Sequence, residues 1–418
     1  MTKKISNFFL LGLFLVFWVL FALMYIRYSP DDARTYDFEG HVEYTNIIAY
    51  QDRLPSPDEA WQTYHPPLYY LINSFVIKKW GHHVENIRKL SVVYGLLCLI
   101  IIILFLRLIK IKVWIAMVVL LFISTAPAFL YMFTTYNNDS LFSLLSMLFF
   151  FLSYIYFSHS KKKVILVLLG LVTTAALYTK SNIVMCMMIS SSIVLVSAVL
   201  KKIPWNTAFS YFFILGSATT LFLPWIIGHN YYYTGKLFPV NWDILGGELR
   251  LQESPFKVIF SIPGLIGGQF DNPYALNFVG YYSKCTNYFL YRFSSSLFGQ
   301  HDYPFFLINT AWVVFVVRFL VCLMSVSKIN LNKTTQLFGI VLVGVVPITY
   351  FYLARSPYSC SMDFRYLSWL WLGWALLYAQ AIQSFFREKK NFLLISIILL
   401  MIVGSASQIK FMLDLIKA

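Results

Sequence analysis

A chain of 418 residues that is 59% hydrophobic, only 12% charged and formally +15 is not a soluble globular protein, because soluble domains carry about a quarter charged residues. Apolar runs beyond the ~18 residues that mark a transmembrane helix recur from end to end. The ~10-residue alternating segments of a membrane β-barrel do not occur. The positive surplus also needs no nucleic acid. Fifteen basic residues (Lys3, Lys4, Arg107, Lys110, Lys112, Lys161, Lys162, Lys163, Lys201, Lys202, Lys328, Lys333, Arg387, Lys389 and Lys390) lie in short loops between apolar runs, with Glu388 as their one acidic companion. The rest of the chain, eighteen basic and seventeen acidic residues, is nearly balanced. Lys/Arg excess confined to alternate loops marks the cytoplasmic side of a membrane protein.

In chain order, Met1-Thr2-Lys3-Lys4 leads into a stretch without charge from Asn7 to Ile26. It is longer than a signal-peptide core and no small-residue cleavage site follows, so it reads as a retained first span, with cleavage as the alternative. Placing the basic loops inside predicts eleven spans: 7–28, 87–107, 113–133, 139–158, 163–179, 182–200, 206–228, 305–326, 335–353, 364–385 and 391–411. The N-terminus is then cytoplasmic and the C-terminus outside. Arg318 falls within the eighth span, where snorkelling toward the cytoplasmic surface is the expected accommodation. Residues 1–418 read as one all-α, polytopic membrane domain without heptads or a 20–50-residue repeat.

Two outward loops are long, 29–86 and 229–304. The first is dense in carboxylates: Asp31, Asp32, Asp37, Glu39, Glu43, Asp52, Asp58 and Glu59. Apolar residues from Phe38 to Tyr50 recur at helical spacing and predict an amphipathic helix on the membrane surface. A second surface helix is expected over Pro66–Trp80, anchored by Tyr69, Tyr70 and Phe75 and closed by Lys78 and Lys79.

Several residues of these outward segments suit chemistry. Asp37 and His41, four apart, share one helix face, while Glu39 points elsewhere. A carboxylate at the head of a surface helix can accept a proton from an incoming hydroxyl; on spacing alone Asp37 reads equally as a helix cap. Lys180, between two spans, reads as a phosphate-pairing point charge or as an interfacial lysine. Asp139 follows an Asn-Asn turn. Arg355, Asp363, Arg365 and Tyr366 cluster outside the ninth and tenth spans, where Arg365 either holds phosphate or is neutralised by Asp363. His65, His301 and Asp302 are also outside, without the spacing of a metal motif. Cys98, Cys186 and Cys322 read as packing residues, and the external pair Cys285 and Cys360 are free to form a disulfide.

Tyr36-Asp37-Phe38-Glu39-Gly40-His41 followed by His65-Pro66-Pro67-Leu68-Tyr69-Tyr70 is similar to the first external loop of GT-C glycosyltransferases. That superfamily includes protein O-mannosyltransferases, the lipid A aminoarabinose transferase and bacterial lipopolysaccharide sugar transferases. The resemblance continues at Tyr136-Asn137-Asn138-Asp139 and at Tyr178-Thr179-Lys180, and spans roughly the first 230 residues; beyond them it is one of topology. It implies a GT-C-like helical bundle in the plasma (inner) membrane with its site on the periplasmic or extracellular side. The implied activity is inverting transfer of a hexosyl or pentosyl unit from a polyprenyl-phosphate donor to a glycan, lipid or protein acceptor. On that resemblance Asp37 is the expected base, with Glu39 second. His41, His65, Asp139, Lys180, Arg355, Arg365 and Tyr366 are the expected substrate-binding set. Some members use a divalent cation and others do not, so a cation stays open and no metal ligand is assigned.

The competing classes are a transporter or flippase and an O-antigen polymerase or ligase. Transporters bury charges or broken helices at mid-membrane and often show repeats, whereas this chain gathers its acids at one surface. Polymerases and ligases place their chemistry in a large late loop rather than the first.

Overall fold

The computed structural model describes residues 2–31, 37–81, 83–158, 163–239, 308–327 and 364–417, and no strand occurs among them. The helices are α1 (Thr2–Tyr28), α2 (Phe38–Gln51), α3 (Leu68–Trp80), α4 (Val84–Leu108), α5 (Val113–Ser124), α6 (Pro127–Met132), α7 (Asp139–Ser158), α8 (Lys163–Leu177), α9 (Ile183–Val199), α10 (Trp205–Trp225), α11 (Ile308–Val326), α12 (Leu370–Arg387) and α13 (Asn391–Lys417). Five stretches are long and apolar enough to cross a membrane: Phe9–Tyr28, Val84–Leu108, Asp139–Phe157, Trp205–Thr234 and Asn391–Ile416. Shorter apolar helices are Val113–Ser124, Lys163–Leu177, Ile183–Val199 and Thr310–Val326. The expected span 335–353 lies outside the described residues.

The packing follows the apolar period. In α1 the buried residues Leu11, Phe14, Trp18, Phe21, Ala22 and Tyr25 recur at three- and four-residue steps, while Phe9, Leu13, Val16, Phe17 and Leu20 stay exposed. That division suits a helix with one face on the bundle and one on lipid. Helix α4 packs on α1 and α7, α7 on α8, α8 on α10, and α11 on α13. Small residues allow the close approaches. A Cβ on Gly95 would lie 2.5 Å from the Trp18 ring and 2.7 Å from Phe133. One on Gly404 would lie 2.6 Å from the Phe122 ring.

The third span is broken. Helix α5 stops at Ser124 and Pro127 opens α6, because proline brings no N–H to an i→i−4 bond. Trp18 Nε1–H donates to the Ser124 carbonyl at 3.2 Å, so a neighbouring helix satisfies backbone that the break exposes.

Arg318 departs from expectation. It is fully buried rather than snorkelling, with its guanidinium 4.3 Å from the Trp374 ring centre and 5.7 Å from that of Phe122. None of its three nitrogens has a hydrogen-bond partner among the described residues. Helix α11 faces α12 and α13 at this point, so the side chain meets aromatic faces instead of reaching a surface.

The basic turns gather at one end of the bundle. The Lys112 N–H donates to Gln383 Oε1 at 3.2 Å, Gln383 Nε2 donates to the Lys110 carbonyl at 3.3 Å, and Lys112 Nζ lies 3.6 Å from the Phe386 ring centre. Helix direction puts α2 and α3 at the opposite end.

Candidate functional site

Helix α2 begins at Asp37, whose φ of 62° is left-handed and whose side chain makes no cap bond. Asp37 Oδ1 instead accepts a hydrogen bond from Trp61 Nε1–H at 2.6 Å, so the capping alternative does not hold. Asp37 is half-buried, and Oδ2 takes no hydrogen bond among the described residues. Gly40 allows this junction: a Cβ there would sit 2.9 Å from Gln62 Cγ and 3.1 Å from Trp61 Cβ. Glu39 is exposed on the outer face of α2. With Phe38, Val42, Glu43, Asn46, Ile47, Tyr50 and Gln51 it lines a groove of about 510 Å³.

The inner face of α2 meets α3 through aromatic rings. His41 is buried, and its Nδ1 is 2.8 Å from the Tyr70 hydroxyl. Tyr70 stacks on Tyr44 at 3.8 Å, and the Tyr44 hydroxyl donates to the His65 carbonyl at 3.2 Å. Tyr69 and Tyr70 are fully buried, so of the three expected aromatic anchors two face inward and Phe75 alone faces outward. The outward positions of α3 are Leu71, Phe75 and Trp80. Burial, then the nearby charges of Lys180 and Arg365, depresses the His41 pKa well below its ordinary value. His65 is depressed by burial first, then by Lys180, His41 and Arg365. Both rings therefore stand neutral at neutral pH.

The Leu68 N–H donates to the Tyr178 carbonyl at 2.8 Å, which joins the Pro-Pro-Leu-Tyr-Tyr segment to the Tyr178-Thr179-Lys180 turn. Lys180 is buried and donates to Asp139 Oδ1 at 2.5 Å. Burial lowers the Lys180 pKa, Asp139 opposes that shift and Arg365 adds to it. Asp139 is also buried, and Asn137 Oδ1 accepts its backbone N–H at 2.8 Å. Arg365 Nε lies 4.0 Å from Asp139 Oδ2. The two cations also share one ring: Lys180 Nζ is 4.9 Å and the Arg365 guanidinium 5.0 Å from the centre of Tyr366.

Two cations thus converge on one buried carboxylate, with His41, His65 and Asp37 close enough to feel Lys180. The two cations against the one carboxylate Asp139 leave a positive charge beside it that suits a phosphate, which accepts from lysine as a point charge and from arginine as a planar fork. Arg355, Asp363, His301, Asp302, Cys285 and Cys360 lie outside the described residues. Cys98, Cys186 and Cys322 are free thiols. No cluster of three metal-ligating side chains occurs among the described residues.

Trp61, Tyr44 and Tyr70 were not among the sequence candidates, although all three belong to or flank the segments that carry the GT-C resemblance. His229 was not either. It follows Pro224 and Trp225 in a π-helical turn, Ile226–Tyr231, and its Nε2–H donates to the Pro55 carbonyl at 2.8 Å.

No family model matches the chain, and no curated protein sequence matches it. Among solved structures it is similar to ArnT from Cupriavidus metallidurans. Against the crystal structure bound to undecaprenyl phosphate the TM-score is 0.44 at 13% identity, covering 90% of this chain and 78% of that one. Against the apo crystal structure the TM-score is 0.43 at 14% identity, covering 88% and 76%.

Proposed function

We propose that the protein is a GT-C-type glycosyltransferase that moves a sugar from a polyprenyl-phosphate donor to an acceptor hydroxyl, by inversion, on the outer side of the membrane. The observation that carries this reading is the convergence of Lys180 and Arg365 on Asp139 beside the half-buried Asp37. A polyprenyl chain stays in lipid, so its phosphate reaches the protein at the end of the bundle, where these cations lie. Phosphate is a competent leaving group, and the step needs positive charge on the departing oxygen and a base on the acceptor.

In this reading Lys180 and Arg365 receive the phosphate, and Asp139 holds the two cations in place. Tyr366 fixes their relative position through its ring. His41 and His65, being neutral, line the site without adding charge and offer ring nitrogens to sugar hydroxyls. Asp37 accepts the acceptor proton through Oδ2 while Trp61 holds Oδ1. Glu39, on the far face of α2, is the second choice of base, and Arg355 remains a proposed donor contact. The acceptor is a glycan, a lipid or a protein. A divalent cation is compatible with the acids of the first loop, and no step requires one.

The deciding experiment incubates membranes that contain the protein, and so its acceptors, with radiolabelled polyprenyl-phosphate sugars and follows the label, with membranes lacking the protein as the control. Transfer of label from lipid to a water-soluble or second-lipid product supports the proposal; label retained on every donor refutes it. One observation favours a flippase as second reading: Arg318, a buried cation without a hydrogen-bond partner among the described residues, is what a transport path at mid-membrane would carry. A flippase would move the labelled donor between leaflets and leave it intact.

A further inference from the structure

We infer that His229 is a positioning residue that sets the place of Asp37 through the loop Arg53–Trp61, an inference that rests on Asp37 being the base. Residues 226–231 form a π-helical turn, a rare geometry that is frequent at functional sites. Pro224 lies within the preceding helix, and Trp225 stacks on His229 at 3.8 Å. The extra residue of the π turn rotates the helix end, and this brings the imidazole against the first loop, 174 residues away in sequence. A carbonyl only accepts, so the Nε2–H of His229 donates to Pro55 O. Nδ1 lies 3.1 Å from Asn230 Oδ1, and Asn230 Nδ2 donates to the Leu237 carbonyl at 3.3 Å. The ring is therefore held at its face by the Trp225 stack and at its edge by the Pro55 carbonyl.

The loop beyond Pro55 is internally knit, so a displacement at one end reaches the other. Arg53 pairs with both oxygens of Glu59, and Glu59 Oε2 accepts the Ser56 N–H at 3.2 Å. The Ala60 carbonyl accepts from Thr63 Oγ1–H at 2.8 Å and the Gln62 carbonyl from the His65 N–H at 3.0 Å. From this knot Trp61 reaches Asp37. Pro55 and Pro57 are buried, and their fixed φ leaves the loop little freedom to absorb a shift. The groups facing His229 are Trp225 and Tyr233 of its own helix end. Across from it, the loop bears Arg53, Asp58 and Glu59. His229 touches no group of the phosphate cluster, which separates its role from donor binding.

The test is a double-mutant cycle with His229→Leu and Trp61→Phe, with His229→Gln as the conservative variant that keeps a donor. Turnover and undecaprenyl phosphate affinity are measured together with hydrogen exchange over residues 53–62. Misplacing a reacting group by ~1 Å costs up to ~10²-fold in rate. The expected result is a turnover loss of roughly tenfold or more in each single variant and little further loss in the double. Lipid-phosphate affinity should be unchanged, exchange over 53–62 faster in His229→Leu, and turnover partly restored in His229→Gln. Additive losses, or weakened lipid-phosphate binding in step with turnover, would overturn the inference. If wild-type protein transfers no sugar at all, the function proposed above fails on its own. The exchange arm then decides: unchanged exchange over 53–62 in His229→Leu removes the inference independently.

Discussion

An indole N–H lies 2.6 Å from Asp37 Oδ1, and in the proposed reaction the second carboxylate oxygen takes the acceptor proton. In the same proposal the cations Lys180 and Arg365 serve the donor phosphate. Lys180→Glu and Arg365→Glu should each weaken binding of undecaprenyl phosphate measured by scintillation proximity, and unchanged affinity in both would remove the phosphate assignment. His41 gives a pH signature. Its pKa is depressed in the folded protein, so below about pH 6.5 the unfolded chain takes up a proton that the folded one refuses. Stability is thus full above about pH 6.5 and falls as pH drops through the unfolded value toward the folded one, by at most ~1.4 kcal/mol per pH unit for this group. Thermal unfolding of His41→Gln in detergent should show a shallower acid slope than wild type; identical slopes would contradict the neutral, buried ring. The sequence string around Asp37 revealed which carboxylate to consider. It did not reveal the partner: Trp61 is 24 residues away, and the loop that returns it carries no periodicity from which to read a contact.

The elements meet at positions set by buried pairs and small residues. Asp139 begins α7 and Lys180 lies in the turn between α8 and α9, so their ion pair ties two parts of the bundle at one end. Removing one member of a buried pair strands the other and costs about 3–5 kcal/mol, whereas replacing both is far milder. Asp139→Asn and Lys180→Met should each lower the unfolding temperature more than the Asp139→Asn/Lys180→Met double variant does. A double variant as unstable as both singles combined would contradict this. Gly40→Ala drives a methyl into Gln62 and Trp61; such crowding typically costs about 1–3 kcal/mol and should displace the indole from Asp37. The expected outcome is folded protein with reduced turnover and intact undecaprenyl phosphate binding. Both pairing residues stood out in the sequence, at Asn137-Asn138-Asp139 and Tyr178-Thr179-Lys180, yet spacing within one helix says nothing of contacts between two. Helix α3 illustrates the same limit. Its extent was legible to within two residues, Pro66–Trp80 against Leu68–Trp80, but apolar residues lie on every side, so the phase that buries Tyr69 and Tyr70 was set by packing on α2.

At the scale of the molecule, the basic turns at Lys110–Lys112, Lys201–Lys202 and Lys389–Lys390 oppose the end that holds Asp37, Asp139, Lys180 and Arg365. Cysteines placed at Asp58 and at Lys201 should be labelled from opposite sides of intact cells, Asp58 from outside; protection of position 58 would invert the orientation proposed. The all-α membrane class and the approximate helix positions were legible because hydropathy and Lys/Arg asymmetry are local, additive properties. The break at Pro127, the π turn at Ile226–Tyr231 and the aromatic seat of Arg318 were not, because each depends on which helix lies alongside. Chemistry at one end of the bundle is the central claim, and single-turnover transfer from a radiolabelled polyprenyl-phosphate sugar tests it most directly, comparing wild type, Asp37→Asn and Glu39→Gln. Wild type is expected to transfer the sugar, Asp37→Asn to fall by about 10²–10⁴-fold and Glu39→Gln to stay near normal. Loss in Glu39→Gln with Asp37→Asn unimpaired would move the base to Glu39, and normal rates in both variants would contradict the enzymatic account of this loop.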